Sequence, residues 1–185
     1  MRSEILMAGY GGQGIIMAGR VLADALGLHG SMEVTQVSSY GPEARGGMCR
    51  TEVIVSDRPI HYTRITRANA LLIMSDEAFA KYAPLAGPDS LVLIDSTLVS
   101  VPPALSSVRR LNMIPATASA EGIGHRVAAN MVMLGALTVL YELVRRDWIE
   151  QSLRNTFSGV LAQANLGVFE MGISLARPEG AGGIC

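Results

Sequence analysis

The sequence predicts an α/β fold with three layers, α/β/α, in which helices cover both faces of an open, mostly parallel sheet with at least one antiparallel strand. Short apolar runs typical of buried strands alternate along the chain with longer segments of helical periodicity. One connection between two strands is too short for a parallel crossover. We assign residues 1–177 to a single domain and residues 178–185 to a flexible, glycine-rich tail.

The composition limits the classes of partner and of metal site. With 49% hydrophobic and 17% charged residues, against about 25% charged in a typical domain, we expect apolar surface that a partner subunit covers. A net charge of -1 provides no basic surface for nucleic acid. Two cysteines, and three histidines without ligand spacing, predict no metal site. The N-terminus shows no apolar segment long enough for a signal peptide, so we expect a cytoplasmic protein.

A glycine-rich turn follows the first predicted strand, the apolar run at residues 4–8. Glycines stand at 9, 11, 12 and 14, and helical periodicity begins at Ile15. Glycine lets the backbone approach another group closely, and the first amides of a helix have no internal partner, so this turn could hold an anion. The spacing also fits the G-x-G-x-x-G dinucleotide motif, which is weak by itself. The alternative is a tight turn that packs the helix on the sheet without any ligand.

Two further strands are predicted at residues 32–38 and 49–55, with a polar, glycine-rich loop at residues 39–47 between them. The first of these strands completes a strand-helix-strand unit, which predicts a parallel crossover from the strand at 4–8. Roughly ten residues cannot easily form such a crossover, so we expect the strands on either side of the 39–47 loop to be antiparallel. The 39–47 loop should lie near residues 11–14, because a site built from two loops needs both on one edge of the sheet.

The rest of the chain continues the alternation of strands and helices. The patterns predict a short extended piece at 60–65, strands at 70–74 and 90–94, an edge strand at 107–111, and helices at 76–86, 127–144, 148–161 and 165–176. The segment 127–144 is long and apolar enough to raise the question of a membrane span. Asn130, Thr138 and Glu142 argue against a span, and Gly135 favours close helix packing. We therefore interpret this segment as a helix buried in the domain or at a subunit contact.

Three segments together resemble one protein family. They are GYGGQG at 9–14, SSYGPEARGG at 38–47 and RVAANMVMLGAL at 126–137. The pair of GGQG with a GPE-x-RGG loop is far more specific than either motif alone, and the resemblance spans nearly the whole chain. The sequence is similar to the gamma subunit, or gamma domain, of the 2-oxoacid:ferredoxin oxidoreductases, which act on pyruvate, 2-oxoglutarate, branched-chain or aryl 2-oxoacids. Because these members share the motifs, the sequence does not identify the 2-oxoacid.

The resemblance implies a hetero-oligomer with alpha and beta subunits, or with alpha, beta and delta subunits. Thiamine diphosphate and iron–sulfur clusters would lie in those partners, ferredoxin would be reached indirectly, and CoA would bind at a shared site. The isolated chain is then expected to bind no cofactor and to be inactive. In such a complex the gamma subunit would contribute to CoA binding and to active-site closure.

The resemblance also implies a set of cofactor-binding residues, although it assigns no catalytic residue and leaves open whether the glycine-rich turn and Arg45 touch CoA, the substrate or only a partner subunit. The residues of this set are Gly11, Gly12, Gln13, Gly14, Tyr40, Gly41, Glu43, Arg45, Gly46 and Gly47. Arg45 is the only permanent cation of its loop and can bind a carboxylate or phosphate through two hydrogen bonds. The alternative for Arg45 is an internal salt bridge to Glu43 or Glu52. Asn130, in the third segment, must be hydrogen-bonded if buried, and we expect it to hold a loop rather than touch substrate.

Two other functions fit parts of the sequence. A free-standing nicotinamide or flavin dehydrogenase would use the G-x-G-x-x-G turn, but it needs an acidic residue at the carboxyl end of the second strand to bind the ribose hydroxyls. That end carries Val37, Ser38 and Ser39, and Glu33 stands at the other end. A non-catalytic assembly subunit that only shields the site is the third interpretation. The sequence departs from the family at Asn69, where relatives often have aspartate.

Overall fold

The computed structural model describes residues 1–40, 47–100 and 108–176, which form a six-stranded sheet with helices packed against it. The strands are β1 (Arg2–Tyr10), β2 (Glu33–Tyr40), β3 (Met48–Ser56), β4 (Ala68–Ile73), β5 (Ala86–Asp95) and β6 (Arg110–Ile114). The helices are α1 (Ile15–Asp24), α2 (Asp76–Tyr82), α3 (Ala116–Gly122), α4 (Ala129–Leu140), α5 (Arg146–Thr156) and α6 (Gly159–Ala176). A π-helical turn, Ala25–His29, extends α1.

The strand order is β2-β3-β1-β4-β5-β6. β3 pairs antiparallel with both β2 and β1, whereas β1, β4, β5 and β6 are parallel neighbours. The predicted antiparallel pairing on either side of the 39–47 loop is therefore confirmed. β1 and β2 point the same way, as a strand-helix-strand unit requires, but β3 lies between them.

The side chains of β1 point alternately into two apolar cores. Ile5 and Met7 contribute to the core shared with α1 and α3 to α6, whereas Leu6 and Ala8 contribute to the core shared with α2. All four are at most 1% exposed. A strand buried on both faces appears in the sequence as a continuous apolar run, as residues 4–8 do. The predicted three-layer arrangement is confirmed, with most of the helices on one face.

α4 is buried along most of its length and packs against α6 at two glycines. A Cβ at Gly135 would overlap the carbonyl oxygen of Phe169, and a Cβ at Gly172 would overlap that of Val132. The close packing predicted from Gly135 is therefore confirmed. The 12 residues of α4 span about 18 Å, less than the apolar thickness of a bilayer. The interpretation of this segment as a buried helix is confirmed.

Of the helices in the described part of the chain, α6 alone is long and apolar enough to cross a membrane. Only 28% of its 18 residues are buried. Length and composition are weak evidence for a span, because core helices of soluble proteins meet the same criteria.

The structure corrects the bounds of several predicted elements. The edge strand is Arg110–Ile114 rather than 107–111, and residues 60–65 form no strand. The helix predicted at 127–144 ends at Leu140, and α6 begins at Gly159 rather than at 165. α3 was not predicted. The assignment of residues 1–177 to one domain stays a prediction, and the 178–185 tail lies outside the described residues.

Two of these differences have tertiary causes. The carboxylate of Asp95 accepts a hydrogen bond from the backbone N–H of Thr117 in the first turn of α3, 22 residues later in the chain. At the other end of the helical layer, the Tyr141 hydroxyl lies 2.5 Å from the Ser3 Oγ, directly after α4 ends. Neither contact can be inferred from local periodicity.

Candidate functional site

A pocket of about 330 Å³ opens where the carboxyl ends of β1, β4 and β5 meet. From β1 the chain passes through α1 to β2 at one edge of the sheet, whereas β4 leads through α2 to β5 in the opposite direction. Open α/β sheets bind ligands at such a switch point. Gly12 and Gln13 from the glycine-rich turn, Met74 and Ser75 after β4, and Arg126 before α4 line the pocket.

Gln13 connects the ends of β1 and β4. The Tyr10 backbone N–H donates to its Oε1 over 2.6 Å, and its Nε2 donates to the Met74 carbonyl oxygen over 2.9 Å. A Cβ at Gly9 would overlap the Gln13 Oε1, so Gly9 makes room for this side chain. The first glycine of the apparent dinucleotide motif therefore has an internal role.

Gly12 and Gly14 give the glycine turn (residues 11–14) its shape. Both have positive φ angles, 98° and 71°, in the left-handed region that favours glycine. Gly14 is the N-cap of α1 and supplies no side-chain cap. A Cβ at Gly12 would meet nothing within 4 Å, which means that this residue faces open space. The turn therefore presents bare backbone beside the pocket.

Asn130 holds the glycine turn from α4. Its Nδ2 donates to the Gly14 carbonyl oxygen over 2.8 Å, and the side chain is 4% exposed. The expectation that Asn130 holds a loop is confirmed. Its Oδ1 is buried and has no hydrogen-bond partner in the described part of the chain.

The 39–47 loop ends beside the glycine turn. The Gly11 backbone N–H donates to the Gly47 carbonyl oxygen over 2.8 Å. Tyr40, at the other end of the loop, pairs with Cys49 and is 73% exposed. The predicted proximity of the two loops is therefore confirmed. Gly41, Glu43, Arg45 and Gly46 lie outside the described residues, and the cofactor-binding role of all ten predicted residues stays a prediction.

Glu52, one of the two acids proposed as an internal partner for Arg45, already has other partners. Its carboxylate lies 2.9 Å from the Arg50 Nε and accepts a hydrogen bond from the Ile65 backbone N–H over 3.0 Å. Arg50 also donates to the Tyr82 hydroxyl over 3.2 Å. The buried carboxylate of Glu52 therefore has a charged partner and a hydrogen-bond donor without Arg45.

Two residues that sequence analysis did not assign line the pocket. Arg126 precedes α4 with 61% of its side chain exposed, and its Nη1 lies 3.1 and 3.3 Å from the two carboxylate oxygens of Glu121. Thr117 lines the pocket from α3, and its hydroxyl donates to the buried carboxylate of Asp95 over 2.5 Å. Arg126 stands in the third family-like segment, which could have drawn attention to it. Thr117 depends on α3, which the sequence did not predict.

Cys49 lies next to the site but is a poor nucleophile. It is 4% exposed and pairs with Gly9 on β1. Burial raises the pKa of the Cys49 thiol, which lowers the fraction of reactive thiolate at neutral pH.

The groups around the pocket suit binding better than acid–base chemistry. Arg126, the hydroxyl of Ser75 and the first amides of α1 can bind an anion, whereas the Thr117 hydroxyl already donates its hydrogen to Asp95. Among its described lining residues there is no histidine, aspartate or glutamate. The described residues also contain no group of three or more potential metal ligands; the expectation that the chain binds no metal stays a prediction.

The geometry does not suit a dinucleotide. Glu33 begins β2 at the opposite edge of the sheet from the glycine turn, and β3 separates β2 from β1. An acid that binds ribose hydroxyls would need to stand at the carboxyl end of the strand beside β1. In addition, Gln13 bridges the ends of β1 and β4, where a dinucleotide would cross the sheet.

Known proteins resemble this chain over almost its whole length. The model of the family "Pyruvate ferredoxin/flavodoxin oxidoreductase" matches residues 4–175. The 2-oxoglutarate synthase subunit KorC of Methanocaldococcus jannaschii is 38% identical over 178 residues, which cover 96% of this chain and 95% of that protein. The gamma subunit of a keto/oxoacid ferredoxin oxidoreductase from Geobacter sulfurreducens has a TM-score of 0.82 and 32% identity, covering 95% of this chain and 97% of that one.

A 2-oxoglutarate:ferredoxin oxidoreductase from Magnetococcus marinus shares the fold, with a TM-score of 0.83 and 24% identity. This chain covers 31% of that longer chain. None of these relatives supports the alternative of a free-standing dehydrogenase. The chain belongs to the pyruvate ferredoxin/flavodoxin oxidoreductase family, in which it is a gamma subunit of the 2-oxoacid:ferredoxin oxidoreductases.

Proposed function

We propose that this subunit helps to bind CoA and to close the active site in a cytoplasmic complex that converts a 2-oxoacid to an acyl-CoA by oxidative decarboxylation. The observation that supports this most is the hydrogen bond from Gly11 to Gly47, which joins two glycine-rich loops beside one pocket. The Magnetococcus marinus enzyme, which shares the fold, was solved with 2-oxoglutarate, coenzyme A and succinyl-CoA bound.

The residues around the pocket fit a ligand of this chemistry. CoA combines phosphates with a long, partly apolar chain. Arg126 and the first amides of α1 suit phosphate, whereas Met74 and Leu98 provide apolar contact. In the complex these groups would bind and orient CoA, and the two loops would exclude water from the reacting atoms.

The chemical step itself belongs, in this proposal, to the partners. These are alpha and beta subunits, or alpha, beta and delta subunits. The chemistry that thiamine diphosphate supplies there is stabilisation of the carbanion left by decarboxylation. Iron–sulfur clusters in the same partners would pass the electrons to ferredoxin.

Arg45 provides the first test. Arg45→Ala should weaken transition-state stabilisation by about 2–4 kcal/mol, as expected for loss of a charge-assisted contact, and should leave the melting temperature of the free subunit nearly unchanged. Lysine should restore only part of the activity, because it cannot form a planar two-point contact. The measurement is CoA-dependent turnover of the reconstituted complex. We would begin with 2-oxoglutarate, because the Methanocaldococcus jannaschii relative is a 2-oxoglutarate synthase subunit, and then test pyruvate, branched-chain and aryl 2-oxoacids.

Arg64→Ala is the matched control, because Arg64 is an exposed arginine in the connection before β4, at the opposite edge of the sheet. This variant should keep normal turnover. If Arg45→Ala instead melts many degrees lower while turnover and the KM for CoA stay normal, Arg45 is a structural ion-pair residue and its proposed role is wrong.

A further inference from the structure

We propose that β2 pairs with β2 of a second copy of this chain, antiparallel and about a two-fold axis at Val37, so that two sheets join at their edges. β2 is an edge strand, next to β3. It pairs with β3 over all eight of its residues in unbroken register. The inference does not depend on the proposed function, because it concerns the free side of β2 and not the pocket.

The hydrogen bonds between β1 and β3 show which backbone groups of β3 point towards β1. The Gly11 N–H donates to the Gly47 carbonyl oxygen, and the Asp57 N–H donates to the Met1 carbonyl oxygen. Both bonds continue the β1–β3 register beyond its two ends. Bonded pairs recur at every second residue of an antiparallel pair of strands, so the odd-numbered residues of β3 bond to β1. The even-numbered residues of β3 therefore bond to β2.

The backbone groups of β2 that point away from the sheet follow from the same alternation. The even-numbered residues of β3 face the odd-numbered residues of β2, which therefore use their N–H and C=O groups within the sheet. The even-numbered residues of β2 direct these groups outward. They are Val34, Gln36, Ser38 and Tyr40. Their backbone groups form no hydrogen bond with any other element in the described part of the chain.

β2 lacks the features that protect a sheet edge from pairing. Natural edge strands are short, or they carry charges, prolines or bulges. The eight residues of β2 contain no proline, and their only charged side chain is that of Glu33 at one end. The other edge strand, β6, has five residues and begins with Arg110, directly after Arg109. β2 is therefore the edge that can accept another strand.

One two-fold pairing uses all four outward-facing residues of β2. It bonds Val34 to Tyr40 of the second copy and Gln36 to Ser38 of the second copy, and the symmetry repeats both pairs. Val37 then lies on the axis, opposite Val37 of the second copy. A shift of the axis by one residue in either direction would leave one of the four outward-facing residues unpaired within β2.

The side chains that meet in this pairing are complementary. The Val37 side chain is 38% exposed and lies on the face of the sheet away from α1, because its neighbour Gln36 donates to the Ile16 carbonyl oxygen in α1. On the other face, Tyr40, which is 73% exposed, meets Val34. Aromatic and β-branched residues form favourable cross-strand pairs, and like charges opposite each other would be unfavourable. No like charges meet here, so β2 suits a copy of itself.

Disulfide cross-linking of single-cysteine variants tests the pairing and its register. The background is Cys49→Ala with Cys185→Ser, which removes both native thiols. Val37→Cys should form a covalent dimer on mild oxidation, because the Cα atoms of a non-bonded antiparallel pair lie about 4.5 Å apart, within the reach of a disulfide. Thr35→Cys is the matched control on the same face. Its two copies would be about 13 Å apart along the strands, so it should not cross-link. A mixture of Thr35→Cys with Ser39→Cys should cross-link, because these two positions face each other.

Sedimentation of the chain without introduced cysteines measures the non-covalent dimer. The mass should rise from that of one chain towards that of two as the protein concentration increases. Val37→Lys places two ammonium groups opposite each other at the axis and should raise the dissociation constant about tenfold or more. Val139→Lys is the control, because Val139 has a similar exposure, 36%, and lies in α4. It should leave the dimer unchanged, and melting of each variant shows whether it folds.

Three results would overturn the inference. They are a mass of one chain at all concentrations, cross-linking of Thr35→Cys as readily as of Val37→Cys, and equal dissociation constants for Val37→Lys and Val139→Lys. If the free chain is monomeric and Val37→Lys weakens co-elution with the partner subunits, a strand of a partner occupies this edge. The proposed dimer would then be wrong, whereas the proposed function would be unaffected.

Discussion

Asn130 joins two segments that are 116 residues apart in the chain, through its hydrogen bond to the Gly14 carbonyl oxygen. The turn that it holds carries the N-cap of α1 and borders the pocket. The Asn130 side chain has a hydrogen-bonded end, Nδ2, and an end without a partner in the described residues, Oδ1. Substitutions that change one end or both should therefore differ in their effect on stability.

Asn130→Asp should lower the free energy of unfolding by about 1–3 kcal/mol, since it places a second acceptor against the Gly14 carbonyl oxygen. Asn130→Ala removes the donor and the unpartnered Oδ1 together, so it should cost less. Denaturant unfolding of the free subunit measures both. Asn165→Asp is the control, because Asn165 makes the same kind of bond to the Leu161 carbonyl oxygen at an exposed position. A larger loss in Asn130→Ala than in Asn130→Asp would contradict this account.

Cys49 should make stability depend on pH only in the alkaline range. Burial raises the pKa of its thiol above the ordinary value of 9.0. Below that value both folded and unfolded states keep the proton, and this group adds no pH dependence. Above it the unfolded state loses the proton first, so the free energy of unfolding falls as the pH rises through the folded pKa. Cys49→Ala should reduce this alkaline loss in denaturant titrations from pH 7 to 10.

Alkylation of the native protein checks the same burial. In a Cys185→Ser background, where Cys49 is the only thiol, iodoacetamide at pH 8 should react far more slowly with the folded chain than with the unfolded one. Equal rates in the two states, followed by mass spectrometry, would show that Cys49 is accessible.

At the residue scale, the sequence revealed the glycines but not what they make room for. Gly9 is required by the Gln13 side chain, which is fixed by the Met74 carbonyl 61 residues away. The motif spacing alone made the turn look like a dinucleotide site. A ligand for the turn was predicted only from the resemblance of the two loops taken together, and that role stays a prediction.

At the scale of elements, α4 and α6 pack so closely at Gly135 and Gly172 that a Cβ at either position would overlap the backbone of the other helix. Gly135→Ala should destabilise the free subunit by about 1–3 kcal/mol or more, because the added methyl group overlaps the α6 backbone. Thermal and denaturant unfolding measure the loss.

Gly167→Ala is the control for helix propensity. Gly167 is in α6, and a Cβ there would meet nothing within 4 Å. Alanine at this exposed helical position should raise stability by up to about 1 kcal/mol. If Gly135→Ala is as stable as Gly167→Ala, the two helices do not need close contact at Gly135.

The sequence predicted best the elements whose own residues carry the full hydrophobic pattern of a strand or a helix. β1, β4 and β5 are buried on both faces and appear as apolar runs. α3 has seven residues without a side-chain cap of its own, and Asp95 supplies the missing acceptor from another element. Its existence therefore depends on a contact that periodicity does not show.

At the scale of the whole molecule, several large apolar side chains are exposed, among them Val160 and Leu161 in α6 and Val127 before α4. Val160 is 81% exposed, Leu161 64% and Val127 77%. The low charged fraction of the sequence predicted such surface. In the proposed complex we expect a partner subunit to cover Val160 and Leu161, which are neighbours in the chain, because adjacent exposed apolar residues mark protein interfaces.

The double variant Val160→Ser with Leu161→Ser should weaken assembly with the partner subunits at least tenfold and leave the melting temperature of the free subunit within a few degrees. Co-elution in size-exclusion chromatography at several concentrations measures assembly. Leu28→Ser is the control, since Leu28 is 71% exposed on the π-helical turn after α1, away from α6. If the double variant assembles as tightly as Leu28→Ser, this face is not part of the interface.

β1 is the first strand in the sequence, yet it lies in the middle of the sheet with β3 on one side and β4 on the other. Ribosomes add about 5–20 residues per second, so several seconds separate the synthesis of β1 from that of β4, which begins at Ala68. During that time the apolar run of β1 has no parallel neighbour. β1 therefore keeps one edge unpaired until β4, which ends at Ile73, has left the ribosome.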